Sequence, residues 1–182
     1  MLLVDMCHKK DSLHRDEFVK PVANIVKNKE LDFVIKHFSE LTEDDLKKVY
    51  KTILCGVALK DNEFMKYPEK FDWIKHFDKP ILGICSGMLV TAKVFGGVIE
   101  KNTEIGMSEI RTIKTDTLLS GKERFEAYEL HNFSVRPSEE FDVLAVSDKC
   151  VQVIKYKSKP VYGVQFHPEV RNEWIIKRFL NF

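Results

Sequence analysis

Lys79-Pro80-Ile81-Leu82-Gly83-Ile84-Cys85-Ser86-Gly87-Met88 is the stretch on which the fold turns. A proline opens it, a short apolar run reads as a buried strand, and a cysteine stands between glycines two residues before and two after it. Met88 to Phe95 continue with helical spacing. This is the G-x-nucleophile-x-G pattern of strand, tight turn and helix, in which only glycine tolerates the crowding around the nucleophile. Cys85 is thereby placed at the carboxyl end of a strand and at a helix N-terminus, where unpaired N–H groups and the macrodipole favour a thiolate. Such a sulfur can attack a carbonyl carbon. A plain core cysteine also fits so short a pattern, and the far end of the chain separates the two readings.

There, Val161-Tyr162-Gly163-Val164-Gln165-Phe166 reads as a last buried strand that delivers His167-Pro168-Glu169. Proline fixes the backbone between two ionisable groups, so that the imidazole can face a nucleophile while the carboxylate holds it. For a thiol attacking an amide, His167 supplies base and acid, and Glu169 fixes the tautomer and orientation of the ring. Two separate strand ends thus each carry half of one mechanism.

The 182 residues, 44% hydrophobic and 31% charged, fit one soluble domain. A net charge of +1, from 29 basic and 28 acidic residues, offers no field to recruit nucleic acid or an anionic membrane. Cys7, Cys55, Cys85 and Cys150 are far apart, with no C-x-x-C and no Cys/His cluster at zinc spacing, so no metal site is read. No signal peptide and no long apolar run appears, which points to a cytoplasmic chain with reduced thiols and no membrane contact.

Met1 to Asp5, Leu31 to Phe38 and Lys51 to Cys55 read as further strands. Leu13 to Lys27, weakened by Pro21, Thr42 to Lys48 and Trp73 to Phe77 read as helices. This alternation predicts an α/β fold: a doubly wound, mostly parallel open sheet flanked by helices, with ligands at the carboxyl ends of its strands. After Gly96-Gly97 the texture changes to short antiparallel strands at Met107 to Lys114, Phe125 to His131, Phe133 to Val135, Asp142 to Ser147 and Val151 to Tyr156. Asn172 to Asn181 form a closing helix.

ILGICSGM followed by a helix and Gly96-Gly97, His131 ahead of a β segment, and YGVQFHPEV with a terminal helix resemble the class I, triad-type glutamine amidotransferases. Within that family the likeness is to the stand-alone amidotransferase subunit of archaeal-type GMP synthetase, strong from Pro80 to Phe182 and carried by strand order before that. The resemblance implies one domain over residues 1–182 that hydrolyses the side-chain amide of L-glutamine. Cys85 would form a γ-glutamyl thioester, His167 would protonate departing ammonia and then activate water, and Glu169 would orient His167. It further implies an oxyanion hole from backbone N–H groups of Ser86 and of the Gly56-Val57 loop, and substrate contacts from Met88, Leu89, His131, Asn132 and Phe133. No cofactor is implied. The chain carries no phosphate-binding loop, so an ATP-using synthetase on a separate chain is the expected partner.

The chain also departs from the family pattern. Cys55-Gly56-Val57-Ala58-Leu59 stands where relatives carry Gly-Gly-Pro, Leu89 where they carry a substrate-contacting glutamine, and Asp5-Met6-Cys7-His8-Lys9 where they carry Asp-Asn-Gly-Gly-Gln. His131-Asn132-Phe133-Ser134-Val135 is closer to the carbamoyl-phosphate and anthranilate enzymes than to the His-x-Asp of the GMP synthetase type. These changes lead to the expectation that the oxyanion loop is ordered only by a partner. A free-standing γ-glutamyl hydrolase and a catalytically silent regulatory relative remain the alternatives.

Overall fold

The apolar strand runs of the sequence lie side by side in one mixed sheet of nine strands. The computed structural model describes all residues from Met1 to Phe182. The strands are β1 (Leu2–Asp5), β2 (Val34–His37), β3 (Thr52–Leu54), β4 (Ile81–Ile84), β5 (Val98–Thr112), β6 (Arg124–Arg136), β7 (Phe141–Val146), β8 (Val151–Tyr156) and β9 (Val161–Val164). Their order is β2-β1-β3-β4-β9-β8-β7-β5-β6, parallel from β2 to β9 and antiparallel beyond.

The parallel strands are continuous hydrophobic runs because both of their faces are covered. Leu3, Ile53, Leu82 and Ile84 face a layer containing Val22, Ile25 and Ile175, supplied by helices α2 (Lys20–Lys27) and α5 (Glu173–Phe179). Leu2, Val4, Leu54 and Ile81 face the other way. There they meet Met88 and Val90 of helix α4 (Ser86–Val94) and Phe64, Phe71 and Ile74 from two 3₁₀ segments. Helix α1 (Leu13–Phe18) precedes α2, and α3 (Glu43–Lys47) is opened by a reciprocal capping box between Thr42 and Asp45.

Several boundaries differ from expectation for identifiable reasons. The single helix read over residues 13–27 is two, divided at Val19, and Pro21 sits in the first turn of α2 where its missing N–H has no helical acceptor to lose. The helix expected at residues 73–77 is part of a 3₁₀ segment, Pro68–Lys75. Met107 to Lys114 is only the end of a 15-residue strand, and the two short strands read between Phe125 and Val135 are one. β5 and β6 pair with each other along most of their length, so the ladder carries both through stretches that lack an apolar pattern.

Buried Lys51 closes the structure at the opposite end from Cys85: its Nζ donates to the carbonyls of Phe179 (3.0 Å), Leu180 (2.7 Å) and Phe182 (3.2 Å). A cation there satisfies the free carbonyls at the C-terminus of α5.

α4 crosses tightly over β3 and β4. A Cβ on Gly87 would lie 2.4 Å from the Leu54 carbonyl oxygen, whereas one on Gly163 would meet the flexible Met88 side chain at 2.7 Å. Gly87→Ala is therefore expected to cost about 3 kcal/mol or more, and Gly163→Ala about 1 kcal/mol. Chemical unfolding of the two variants beside the parent measures the gap, and equal losses would contradict the rigid crossing.

Candidate active site

The elbow places Cys85 in a backbone conformation that a residue with a Cβ seldom adopts, φ 49° and ψ −104°. Such a conformation costs on the order of 1–3 kcal/mol and persists only where its surroundings dictate it. Here the Cys85 N–H donates to Val164 O at 2.8 Å, the Leu89 N–H donates to Cys85 O at 3.1 Å, and Ser86 Oγ donates to Cys55 O at 3.1 Å. The sulfur is thus fixed between the ends of β3, β4 and β9. Ser86 begins α4, so its own N–H has no intrahelical acceptor and stays available beside Cys85.

Strand register brings the histidine to the cysteine. Ile84 pairs with Val164, so β4 and β9 end level and the next residues of both strands emerge together. His167 Nδ1 lies 2.7 Å from Glu169 Oε1 with both side chains 1% exposed. The His167 backbone N–H donates to Tyr128 O at 2.9 Å, and the Phe18 ring packs 5.5 Å away, centre to centre. With Nδ1 committed to Glu169, Nε2 is buried without a partner. Burial alone would drive His167 toward its neutral form, but the charges of Glu169 and Cys85 outweigh it and hold the imidazole pKa well above the ordinary value.

Gly56 is where the two halves touch. A Cβ there would lie 2.6 Å from His167 Cε1 and 3.6 Å from Cys85 Cβ, which explains a glycine at this point of the loop. Neither the Gly56 nor the Val57 N–H donates to a protein acceptor. The three other thiols are set apart electrostatically, since burial pushes those of Cys7, Cys55 and Cys150 above the ordinary range.

In front of Cys85 the cavity measures only about 20 Å³, room for roughly one water. Its walls are the loop after β3 (Val57, Leu59 and Asn62), Ser86 and Leu89 of α4, and Leu130 to Phe133 of β6. The loop is tied down at two points: Asn132 Nδ2 donates to Leu59 O at 2.9 Å, and the His8 N–H donates to Asp61 Oδ2 at 2.6 Å. Of the residues read as substrate contacts, Leu89, His131, Asn132 and Phe133 border this cavity. Met88 does not: its side chain turns under the elbow onto Gly163, because the helix rotates it into the core. His131 reaches the cavity wall, but its two ring nitrogens are directed elsewhere, to Asn102 O and to a buried pair of glutamates.

Two participants escaped the sequence reading. Leu130 O receives the Cys85 thiol at 3.8 Å, and Asp61 anchors the loop over the cavity. Neither belongs to a recognisable string, and only the passage of the edge strand β6 over the ends of β4 and β9 brings the first of them in.

The profile of the family "glutamine amidotransferase class-I" matches residues 15–180. The glutamine-hydrolysing GMP synthase subunit of Methanobrevibacter smithii is 42% identical over 106 residues, which span 56% of this chain and 56% of that protein. Its counterpart of the same name from Saccharolobus solfataricus is 37% identical over 146 residues, 76% of this chain and 78% of that protein. Among solved structures, one assigned as a GMP synthase subunit from Thermoplasma acidophilum superposes with a TM-score of 0.85 at 23% identity, covering 100% of this chain and 92% of that one. A glutamine amidotransferase from Thermotoga maritima gives 0.75 at 23% identity over 99% of this chain and 80% of that one. At such identities the structures speak for the fold, which is that of the class I amidotransferases.

Two measurements test this geometry. In Glu169→Gln the carboxylate that raises His167 is gone, and burial pushes the imidazole pKa down from its raised value. A raised histidine pKa stabilises the fold fully below the unfolded value and ceases to do so as pH rises through the folded one. The melting-temperature deficit of Glu169→Gln should therefore widen as pH falls from the alkaline side toward neutrality and below, and a deficit that narrows would contradict the charged pair. Asn132→Ala releases the loop from β6, and alkylation of Cys85 by iodoacetamide should become several-fold faster; an unchanged rate would mean that the loop is not the barrier.

Proposed function

The chain belongs to the class I glutamine amidotransferase family, and from that premise we propose that residues 1–182 form one glutaminase domain, the glutamine-hydrolysing subunit of a GMP synthetase. The observation that carries the proposal is the buried His167–Glu169 pair at 2.7 Å, set beside a cysteine held on a glycine-flanked elbow.

Cys85 attacks the side-chain amide carbon of glutamine, and the oxyanion of the tetrahedral intermediate is held by the N–H groups of Ser86 and the Gly56-Val57 loop. Each such donor is worth roughly 3–4 kcal/mol of transition-state stabilisation. His167 passes a proton to the nitrogen, which leaves as ammonia, and a γ-glutamyl thioester remains on Cys85. His167 then takes a proton from water as it attacks the thioester, releasing glutamate and restoring the thiol. Glu169 keeps Nδ1 occupied throughout, so the proton traffic runs through Nε2.

Ammonia released into neutral water is protonated and loses its nucleophilicity. An ATP-using synthetase on another chain, docked over the mouth of the site, would receive it directly. The small cavity supports such an arrangement, because glutamine is far larger than about 20 Å³ and has room there once the loop carrying Leu59 to Asn62 moves. Docking of the synthetase supplies the free energy for that opening. The protein works in the cytoplasm in this account, and no helix is long and apolar enough to cross a membrane.

Ammonia release from glutamine by the purified chain should be slow and should rise several-fold when the synthetase is added. Cys85→Ala abolishes it in both settings, and Glu169→Gln lowers kcat by about 10²–10⁴-fold. Cleavage of γ-glutamyl peptides in preference to glutamine would favour a free-standing hydrolase. Silence with the synthetase present would favour a regulatory relative.

A further inference from the structure

Behind the cavity wall, three segments distant in sequence bring a second set of reactive side chains together. A β-bulge between Lys101 and Glu104 sets Glu104 directly across from His131 in the β5–β6 ladder. Glu129, two residues before His131 on β6, shares its face of the strand. Cys150 comes from the β7–β8 turn. Glu104, Glu129 and His131 are 2%, 0% and 3% exposed.

The hydrogen-bond bookkeeping of this cluster does not close. His131 Nδ1 lies 3.1 Å from Asn102 O, which can only accept, so Nδ1 carries a proton and Nε2 is the nitrogen turned toward the glutamates. Nε2 has no hydrogen-bond partner, yet it faces Glu129 Oε2 at 3.2 Å and Glu104 Oε2 at 3.6 Å. Both oxygens of Glu129 also lack a hydrogen bond. The nearest lysine, Lys149, is 60% exposed and its Nζ stands 4.0 Å from Glu104 Oε1. Ser108 Oγ donates to Glu104 Oε1 at 3.2 Å, but the buried Glu129 carboxyl group has no such donor, and leaving a buried polar group without a partner is costly.

We propose that Glu104, His131 and Cys150, with Glu129 beside them, bind a divalent transition-metal ion of the zinc class. The donor atoms of the first three lie within 4.8 Å of one another, and Cys150 Sγ is 3.2 Å from Glu104 Oε2. Around a tetrahedral zinc at ordinary bond lengths, neighbouring donors are about 3.3–3.6 Å apart, and Glu104 Oε2 stands near that spacing from both Cys150 Sγ (3.2 Å) and His131 Nε2 (3.6 Å). A mixed sulfur, nitrogen and oxygen set suits zinc and its near neighbours. A ligating imidazole that donates its other N–H to a backbone carbonyl, as His131 does to Asn102, is the usual support for such a site. On binding, the Cys150 thiol releases its proton to solvent and the thiolate becomes a ligand. The ion would stiffen the β6 segment whose next residues, Asn132 and Phe133, wall the cavity over Cys85. The site itself does not depend on glutamine hydrolysis.

The test is to strip the full chain with a chelator and titrate it with Co²⁺ and then Zn²⁺. One Co²⁺ per chain should bind with a thiolate-to-cobalt charge-transfer band in the near ultraviolet, displaced by Zn²⁺. That band should survive Cys85→Ser and vanish in Cys150→Ser. Zinc at a hundredfold excess over its Kd should raise Tm of the parent by about 5–10 °C. Glu104→Gln should lose most of that rise. A stripped chain that shows neither stoichiometric binding nor a zinc-dependent Tm would overturn the proposal and leave a shared proton to join His131 and its glutamates. A band that persists in Cys150→Ser would overturn it as well.

Discussion

The structure depends on the close crossing of α4 over the carboxyl ends of β3 and β4. Gly83 and Gly87 stand so near each other that a Cβ on Gly83 would lie 2.4 Å from the Gly87 carbonyl, and Gly87 in turn presses on Leu54. That contact forces Cys85 into its positive-φ conformation and lifts its side chain off the sheet. The cost of the strained residue is met by burial of α4 on both sides of the turn, with Met88 against β9 and Val90 against the 3₁₀ segments. Chemistry and packing are therefore one constraint here: loosening the crossing would relax Cys85 and unseat the helix together.

The second strand end is subordinate to the first. Because β9 pairs with β4 and not with a strand at the edge, His167 and Glu169 emerge inside the molecule. The imidazole is there enclosed by Phe18, Gly56 and Glu169. Burial strengthens the electrostatic coupling between carboxylate and ring while it penalises the charge of each, and the balance falls toward the imidazolium. The loop after β3 completes the enclosure. Leu59 is held by Asn132 and Asp61 by the backbone of His8, so polar contacts fix this loop beside Cys85.

Much of this was legible in the sequence because it is local. The glycines around Cys85, the His-Pro-Glu string and the apolar strand runs each impose their geometry within ten residues. The parallel half of the sheet and the closing helix follow from them. What was not legible depends on partners far away in the chain. Met88 reads as a neighbour of the nucleophile, but helix rotation buries it. His131 reads as a substrate contact, and only the β5 bulge and the β7–β8 turn reveal its companions Glu104 and Cys150. The merging of the β6 strands is likewise a decision of tertiary packing that overrode local propensity, whereas the division of residues 13–27 follows the weak point at Pro21.

The most direct test of the account is to locate the acyl group. The chain, mixed with glutamine and its synthetase and quenched in acid within the first turnover, can be digested and mapped by mass spectrometry. The account predicts a single γ-glutamyl group, on the peptide that contains Cys85, and its absence in Cys85→Ala. Glutamate and ammonia formed with the glutamyl group on another residue, and none on Cys85, would contradict it.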